Sequence, residues 1–199
     1  MKYLKSFEVK GYVKEINKLV TAARKGSSAL VKKLIKTEDI NEVNDHGDTA
    51  LMCAVEGKYI LIVDTLIKAG ADVNVQNIFG TTALMMANTN KIFIKILESV
   101  ADVNIQNKNG RTAIMIYLNG RFDQIKTMLN RKEEINLDLD IKDIHGNNFY
   151  DIIKSELAIK TIPSHLKENM EVIEEYMNEH FPQYKEEWDF KNDVEKFNL

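Results

Sequence analysis

The sequence predicts an all-α solenoid: stacked helix–turn–helix units with β-turn or hairpin arms and a helical cap at each end. Three observations predict it. An eleven-residue block recurs as NDHGDTALMCA at 44–54, NIFGTTALMMA at 77–87 and NKNGRTAIMIY at 107–117, with a weaker copy, DIHGNNFYDII, at 143–153. A second block precedes three of these copies, as GADVNVQ at 70–76, VADVNIQ at 100–106 and a degraded EINLDLDIK at 134–142. Pro is only 2 and Gly only 9 among 199 residues, too few for a chain of many tight turns between strands. The glycines of the first block, Gly47, Gly80, Gly110 and Gly146, are spaced by 33, 30 and 36 residues. That is the period of a supersecondary unit that buries its apolar faces only against its neighbours.

The elements follow in order. Residues 1–13 read as an amino-terminal extension. KEINKLVTAARKG and SSALVKKLIK, over 14–36, match two helices of a unit without its leading turn, so 14–43 is expected to cap the stack with its lysines outward. Units follow at 44–76, 77–106 and 107–142. In each, Asn-x-x-Gly is turn chemistry, because Asn bonds to nearby backbone and Gly accepts a positive φ. Thr49, Thr82 and Thr112 stand where a helix N-cap belongs. Ala-Leu-Met-x-Ala supplies helix formers, with small alanines where helices approach closely. A second apolar helix comes next, as in ILIVDTLIKA at 60–69, and Gly70 suits its left-handed C-cap. KIFIKIL at 91–97 is apolar almost all round, as a sandwiched helix would be. The Asp-Val-Asn segments are expected to be extended arms. The carboxyl cap, 143–180, is assigned a helix near 148–159 and another near 164–180, whose stripe is Leu166, Met170, Ile173 and Met177. Residues 181–199 form an acidic aromatic tail with the only Trp, read as packing Trp188 and Phe190 onto the cap or as an arm that docks elsewhere.

These motifs resemble the ankyrin repeat, a β-turn followed by two antiparallel helices. The family's Asp-x-x-Gly-x-Thr-Pro-Leu-His appears as Asn44-x-x-Gly47-x-Thr49-Ala50-Leu51-Met52 and its two successors, and its Gly-Ala-Asp-Val-Asn stands intact at 70–74. The resemblance covers 14–160 clearly. Three departures stand out. The family's His is Met52, Met85 and Met115, which removes the hydrogen bonds that His makes between turn and helix. Val100 replaces a glycine, and a β-branched residue resists φ > 0. Tyr117 replaces the small residue seen at Ala54 and Ala87. The 77–106 and 107–142 units are therefore expected to depart from regular stacking near Val100 and Tyr117.

Composition excludes several functions. Hydrophobic residues are 44% and charged residues 29%, enough for a packed core. A net charge of −3 does not suggest nucleic-acid binding, and the cap lysines Lys14, Lys18, Lys32, Lys33 and Lys36 have no interleaved aromatics. No apolar run is long enough for a membrane span, and the amino end lacks the apolar stretch of a secretory signal. One cysteine, Cys53, excludes an internal disulfide and reads as a small buried hydrophobe. No metalloprotease, nucleophile-elbow or phosphate-loop motif occurs around His46, His145, His165 or His180, and the Asp138–Asp140 pair falls in a solvent-facing arm. The chain is expected to be non-catalytic, to carry no cofactor or metal, and to be a cytoplasmic monomer.

The resemblance implies a protein-interaction module whose turn tips and first helices line a concave groove. By position these are Asp45, His46 and Asp48; Ile78, Phe79 and Thr81; Lys108, Asn109 and Arg111; and Ile144 and His145, with Glu56 and Gln76 at the wall. The Ile78–Phe79 tip is the sharpest signal, because large apolar groups at a solvent-facing turn are costly unless something covers them. The expected role is adaptor, scaffold or inhibitor of an unidentified protein. Alternatives are a self-associating or self-masked chain whose tail fills a groove, and an immunity-type inhibitor of one partner.

Overall fold

The computed structural model describes residues 17–157 and 178–179. The extension 1–13, the tail 181–199 and all but two residues of the helix placed at 164–180 lie outside that range. Among the described residues the helices are α1 (Lys18–Arg24), α2 (Ser28–Leu34), α3 (Ala50–Glu56), α4 (Ile60–Lys68), α5 (Ala83–Met86), α6 (Asn90–Leu97), α7 (Ala113–Tyr117), α8 (Phe122–Asn130) and α9 (Phe149–Leu157). They form two layers. The inner layer runs α1, α3, α5, α7, α9, each packed on the next, and the outer layer runs α2, α4, α6, α8.

Local chemistry starts the inner helices. Thr49 and Thr82 hold extended backbone, and their hydroxyls accept from the N–H of Met52 (3.2 Å) and Met85 (3.4 Å). Thr112 takes the same N-cap position without that bond, and its buried Oγ1 has no partner among the described residues. Leu51, Leu84 and Ile114 follow, each 0–1% exposed, and the methionines in the family's His positions are 1–3% exposed. The methionines thus replace a hydrogen-bonding group with apolar burial, worth about 1.5–3 kcal/mol apiece.

The outer helices repeat a different pattern. Each buries its third, fourth and seventh residues: Ile62, Val63 and Leu66 in α4, Ile92, Phe93 and Ile96 in α6, Gln124, Ile125 and Met128 in α8. This corrects the expectation for 91–97. Lys91 is exposed and Lys95 points to a carboxylate, Asp64 on α4, at 2.5 Å, so α6 is one-sided rather than apolar all round.

The arms also differ from expectation. The only bridge in β geometry among the described residues joins Val43 and Thr49. Elsewhere each aspartate of the arm motif closes a turn on itself: Asp72 Oδ1 accepts from Asn74 N (2.8 Å), Asp102 from Asn104 (2.9 Å) and Asp138 from Asp140 (2.9 Å). Asp39 does the same with Asn41 (2.9 Å), which gives the amino-terminal cap an arm of its own.

Of the two expected irregularities, one is absent and the other present. Val100 keeps φ at +64° with its side chain 90% exposed, so the unit does not deviate there. The departure lies opposite Tyr117. Helix α5 has 4 residues against 7 in α3, and Ala87 leaves the helix with ψ 109°. Its last carbonyls then need partners. The Tyr117 hydroxyl donates to the Leu84 carbonyl, and Arg121 Nη1 donates to those of Met85 (3.2 Å) and Ala87 (3.3 Å). Tyr117 is fully buried, edge-on to Phe93 at 5.6 Å and under the Arg121 guanidinium at 5.4 Å. A bulky residue therefore fills what a missing helical turn leaves open.

Candidate interaction groove

The turn tips are tied into a column by backbone. Ile78 N donates to His46 O (3.0 Å), Lys108 N to Phe79 O (3.0 Å) and Ile144 N to Asn109 O (3.1 Å). Within each tip an Asx side chain gathers two N–H groups. Asn77 Oδ1, for example, accepts from Phe79 and Thr81, both at 3.0 Å. The tips approach so closely that a Cβ on Gly80 would lie 2.8 Å from Lys108 N. Side chains one and two residues before each tip glycine therefore stand outward in register, and all eight are exposed.

The structure brings together Asp45–His46, Ile78–Phe79, Lys108–Asn109 and Ile144–His145 as successive rungs. Ile78 is 45%, Phe79 60% and Ile144 63% exposed. The residues after the glycines are half-buried and serve the stack itself. Asp48 Oδ1 accepts from Asn77 Nδ2 (2.9 Å) and its other oxygen lies 3.9 Å from Arg24. Arg111 Nε lies 3.8 Å from Asp143, the same inter-unit link with donor and acceptor exchanged. Burial alone would raise the pKa of Asp143, whose side chain is 1% exposed; the N–H groups of Asn147 and His145 and the charge of Arg111 outweigh it and hold the pKa below the ordinary value. Thr81 sits between these two links. Gln76 ties the second tip to the next unit: its Nε2 donates to Gly80 O (2.8 Å) and Gln106 O (2.9 Å), and Gln106 repeats the pattern one unit on. Glu56 is exposed at the end of α3.

Two features escaped the sequence reading. Six residues past each tip glycine lies a column of Cys53, Met86 and Ile116. Arg24 reaches both Asp48 and Cys53 (3.6 Å to Sγ), which sets this column beside the one just described. Cys53 is sealed, and burial pushes its thiol pKa up despite Arg24. Met86 and Ile116 are half-buried and pack against the core. The shared offset from the glycines was a readable signal. The sequence placed Arg24 only among the basic residues of the amino-terminal cap.

The arms carry a second ladder. Asn41, Asn74 and Asn104 each accept, through Oδ1, from the backbone N–H of the next arm: Asp72 (2.8 Å), Asp102 (2.8 Å) and Asp138 (2.9 Å). Asn74 and Asn104 also donate, to Val100 O (3.3 Å) and Asn136 O (2.7 Å), the two non-glycine residues that hold positive φ in the glycine position of the arm. No group of three metal-ligating side chains occurs among the described residues, and no described helix is long and apolar enough to cross a membrane.

The family model for ankyrin repeats (3 copies) matches residues 5–77 and 62–143. Similar curated proteins include an ankyrin repeat protein of monkeypox virus, OPG025, 32% identical over 72 residues, or 32% of this chain and 11% of that protein. Another is alpha-latrotoxin-Lg1a of Latrodectus geometricus, 36% identical over 77 residues, or 37% of this chain and 6% of the toxin. The matched stretch is thus a small fraction of either relative.

Proposed function

Because the chain belongs to the ankyrin repeat family, whose members are generally protein–protein interaction modules and typically non-catalytic, we propose that it binds a protein partner through the groove, as an adaptor, scaffold or inhibitor. The observation that carries this is the second rung. Ile78 and Phe79 are large, apolar and exposed on a turn whose backbone is tied to both neighbouring rungs. The tied backbone holds both side chains at the surface, and a partner would cover them. Asp45–His46 and Lys108–Asn109 flank this apolar pair with polar groups. An apolar centre inside a polar rim is the usual form of an interaction hot spot.

The test is a double variant, Ile78→Ser with Phe79→Ser. Both side chains lie outside the core, so the unfolding midpoint should stay nearly unchanged. Partner capture from the native source, read beside the unaltered chain, should weaken by more than about 2 kcal/mol. Unchanged capture at unchanged stability moves the binding site elsewhere. Loss of folding makes Phe79 a core residue.

A further inference from the structure

The tip column has an order as well as a position. Ile78, Lys108 and Ile144 each stand two residues before a tip glycine, and all three are exposed. Lys108 is held between two apolar rungs: its own N–H donates to Phe79 O (3.0 Å), and the carbonyl of its neighbour Asn109 accepts from Ile144 N (3.1 Å). Lys108 forms no ion pair with any described residue. The charged residue closest to it in the chain, Arg111, has the same sign and lies against Asp143, whose side chain is buried. The third rung therefore presents an unpaired cation with exposed apolar groups on both sides.

Spacing decides what can meet all three rungs. The tips rise with the inner helices, each packed on the next, and packed helices lie about 8–10 Å apart. A segment that sets one side chain on each rung needs the same repeat. Side chains on one face of a β-strand recur about every 6.7 Å. Those on one face of an α-helix recur about every 5.4 Å. Either would place facing residues between the rungs. A polyproline II segment turns once in three residues, a repeat of about 9.3 Å. Its first, fourth and seventh residues therefore fall on Ile78–Phe79, Lys108 and Ile144. Apolar residues at the outer two positions take exposed apolar surface out of water. A carboxylate at the middle position faces Lys108, where a cation would meet like charge.

We propose that the groove takes a polyproline II segment of a partner protein that carries an acidic residue midway between two apolar residues, each three positions away, with the acid on Lys108. This rests on the groove reading and adds the chemistry of the partner. The full chain is titrated with acetyl-Leu-Pro-Pro-Glu-Pro-Pro-Leu-amide, in which proline holds the conformation, while NMR follows the backbone amides of Phe79, Lys108 and Ile144. Two comparison peptides replace the glutamate by lysine or shorten the spacing to Leu-Pro-Glu-Pro-Leu. The glutamate peptide should shift the three amides saturably and bind at least about fivefold more tightly than either comparison in low salt. Lys108→Glu should reverse the order of the glutamate and lysine peptides, which a loss of folding could not do. Ile78→Ser with Phe79→Ser should weaken both. Binding that needs Ile78 and Phe79 but ignores the charge or the spacing overturns this proposal and leaves the groove reading standing. Binding indifferent to Ile78 and Phe79 overturns both. No saturable shift with any of the peptides overturns the proposal, while partner capture still decides the groove.

Discussion

The units contain a segment of fixed length and a segment of variable length. From the left-handed arm residue to the tip glycine is ten residues every time: Gly70 to Gly80, Val100 to Gly110, Asn136 to Gly146. From the tip glycine through both helices to the next arm residue is 23, 20 and 26 residues, for Gly47–Gly70, Gly80–Val100 and Gly110–Asn136. The difference follows the kind of bond. The fixed segment is held across units by directional hydrogen bonds: the tip backbone, Gln76 and Gln106, and the asparagine ladder. An added residue would displace every donor from its acceptor. The helices meet through apolar faces, and burial does not depend on direction. They tolerate a lost turn if a side chain refills the space and the freed carbonyls find donors.

The largest test of that contrast is Tyr117→Ala, which imposes the small residue of the other units. Tyr117 is fully buried and compensates for the missing turn of α5. The substitution should cost about 3–5 kcal/mol in urea unfolding through lost burial and a cavity. Tyr117→Phe keeps the packing and removes only the donor to Leu84 O, and should cost about 1–2 kcal/mol. If alanine costs no more than phenylalanine, the variable segment has relaxed around the gap and Tyr117 is not its plug.

A second test compares two tips. A Cβ on Gly80 meets backbone of the next tip at 2.8–3.0 Å, whereas one on Gly146 meets no described atom within 4 Å. Both hold positive φ, +74° and +82°. Alanine at Gly146 should cost about 1 kcal/mol for its backbone conformation. Alanine at Gly80 should cost about 2–4 kcal/mol, because it also pushes Lys108 N off Phe79 O. Equal midpoints would mean that the tip column yields, and that asparagine could replace either glycine.

Much of the fixed segment was legible in the sequence. Asn77, Gly80 and Thr82 recur as a group because each performs a local backbone task, and local tasks leave local motifs. The stacking of the exposed tip pairs followed from that register. The roles of Asp48, Arg111 and Gln76 did not, since each binds a group about 30 residues away, and spacing within a unit says nothing about it. The spacing of 30 between Gly80 and Gly110 announced a deletion without locating it. Tyr117 looked like an isolated departure until α5 proved short, and Arg121 carried no signal of its own.

Val100 gives the smallest effect and the sharpest test of the fixed segment. The sequence predicts that a β-branched residue should refuse the position Gly70 occupies, yet Val100 holds φ +64°. The side chain is 90% exposed and contributes no packing that could favour this conformation. The restraint comes from the ladder: Asn74 donates to Val100 O and accepts from Asp102 N, which fixes the two peptide groups that follow Val100, on either side of Ala101. The cost of a left-handed β-branched residue is of order 1–3 kcal/mol. Val100→Gly should therefore stabilise the chain by about 1 kcal/mol, after the greater freedom of glycine in the unfolded state is subtracted. The gain should shrink in an Asn74→Ala background, because without the ladder the valine can relax and its strain is already relieved. A Val100→Gly change that is neutral or destabilising in both backgrounds would show that the ladder does not impose the conformation, and the fixed length of the arm would then need another cause.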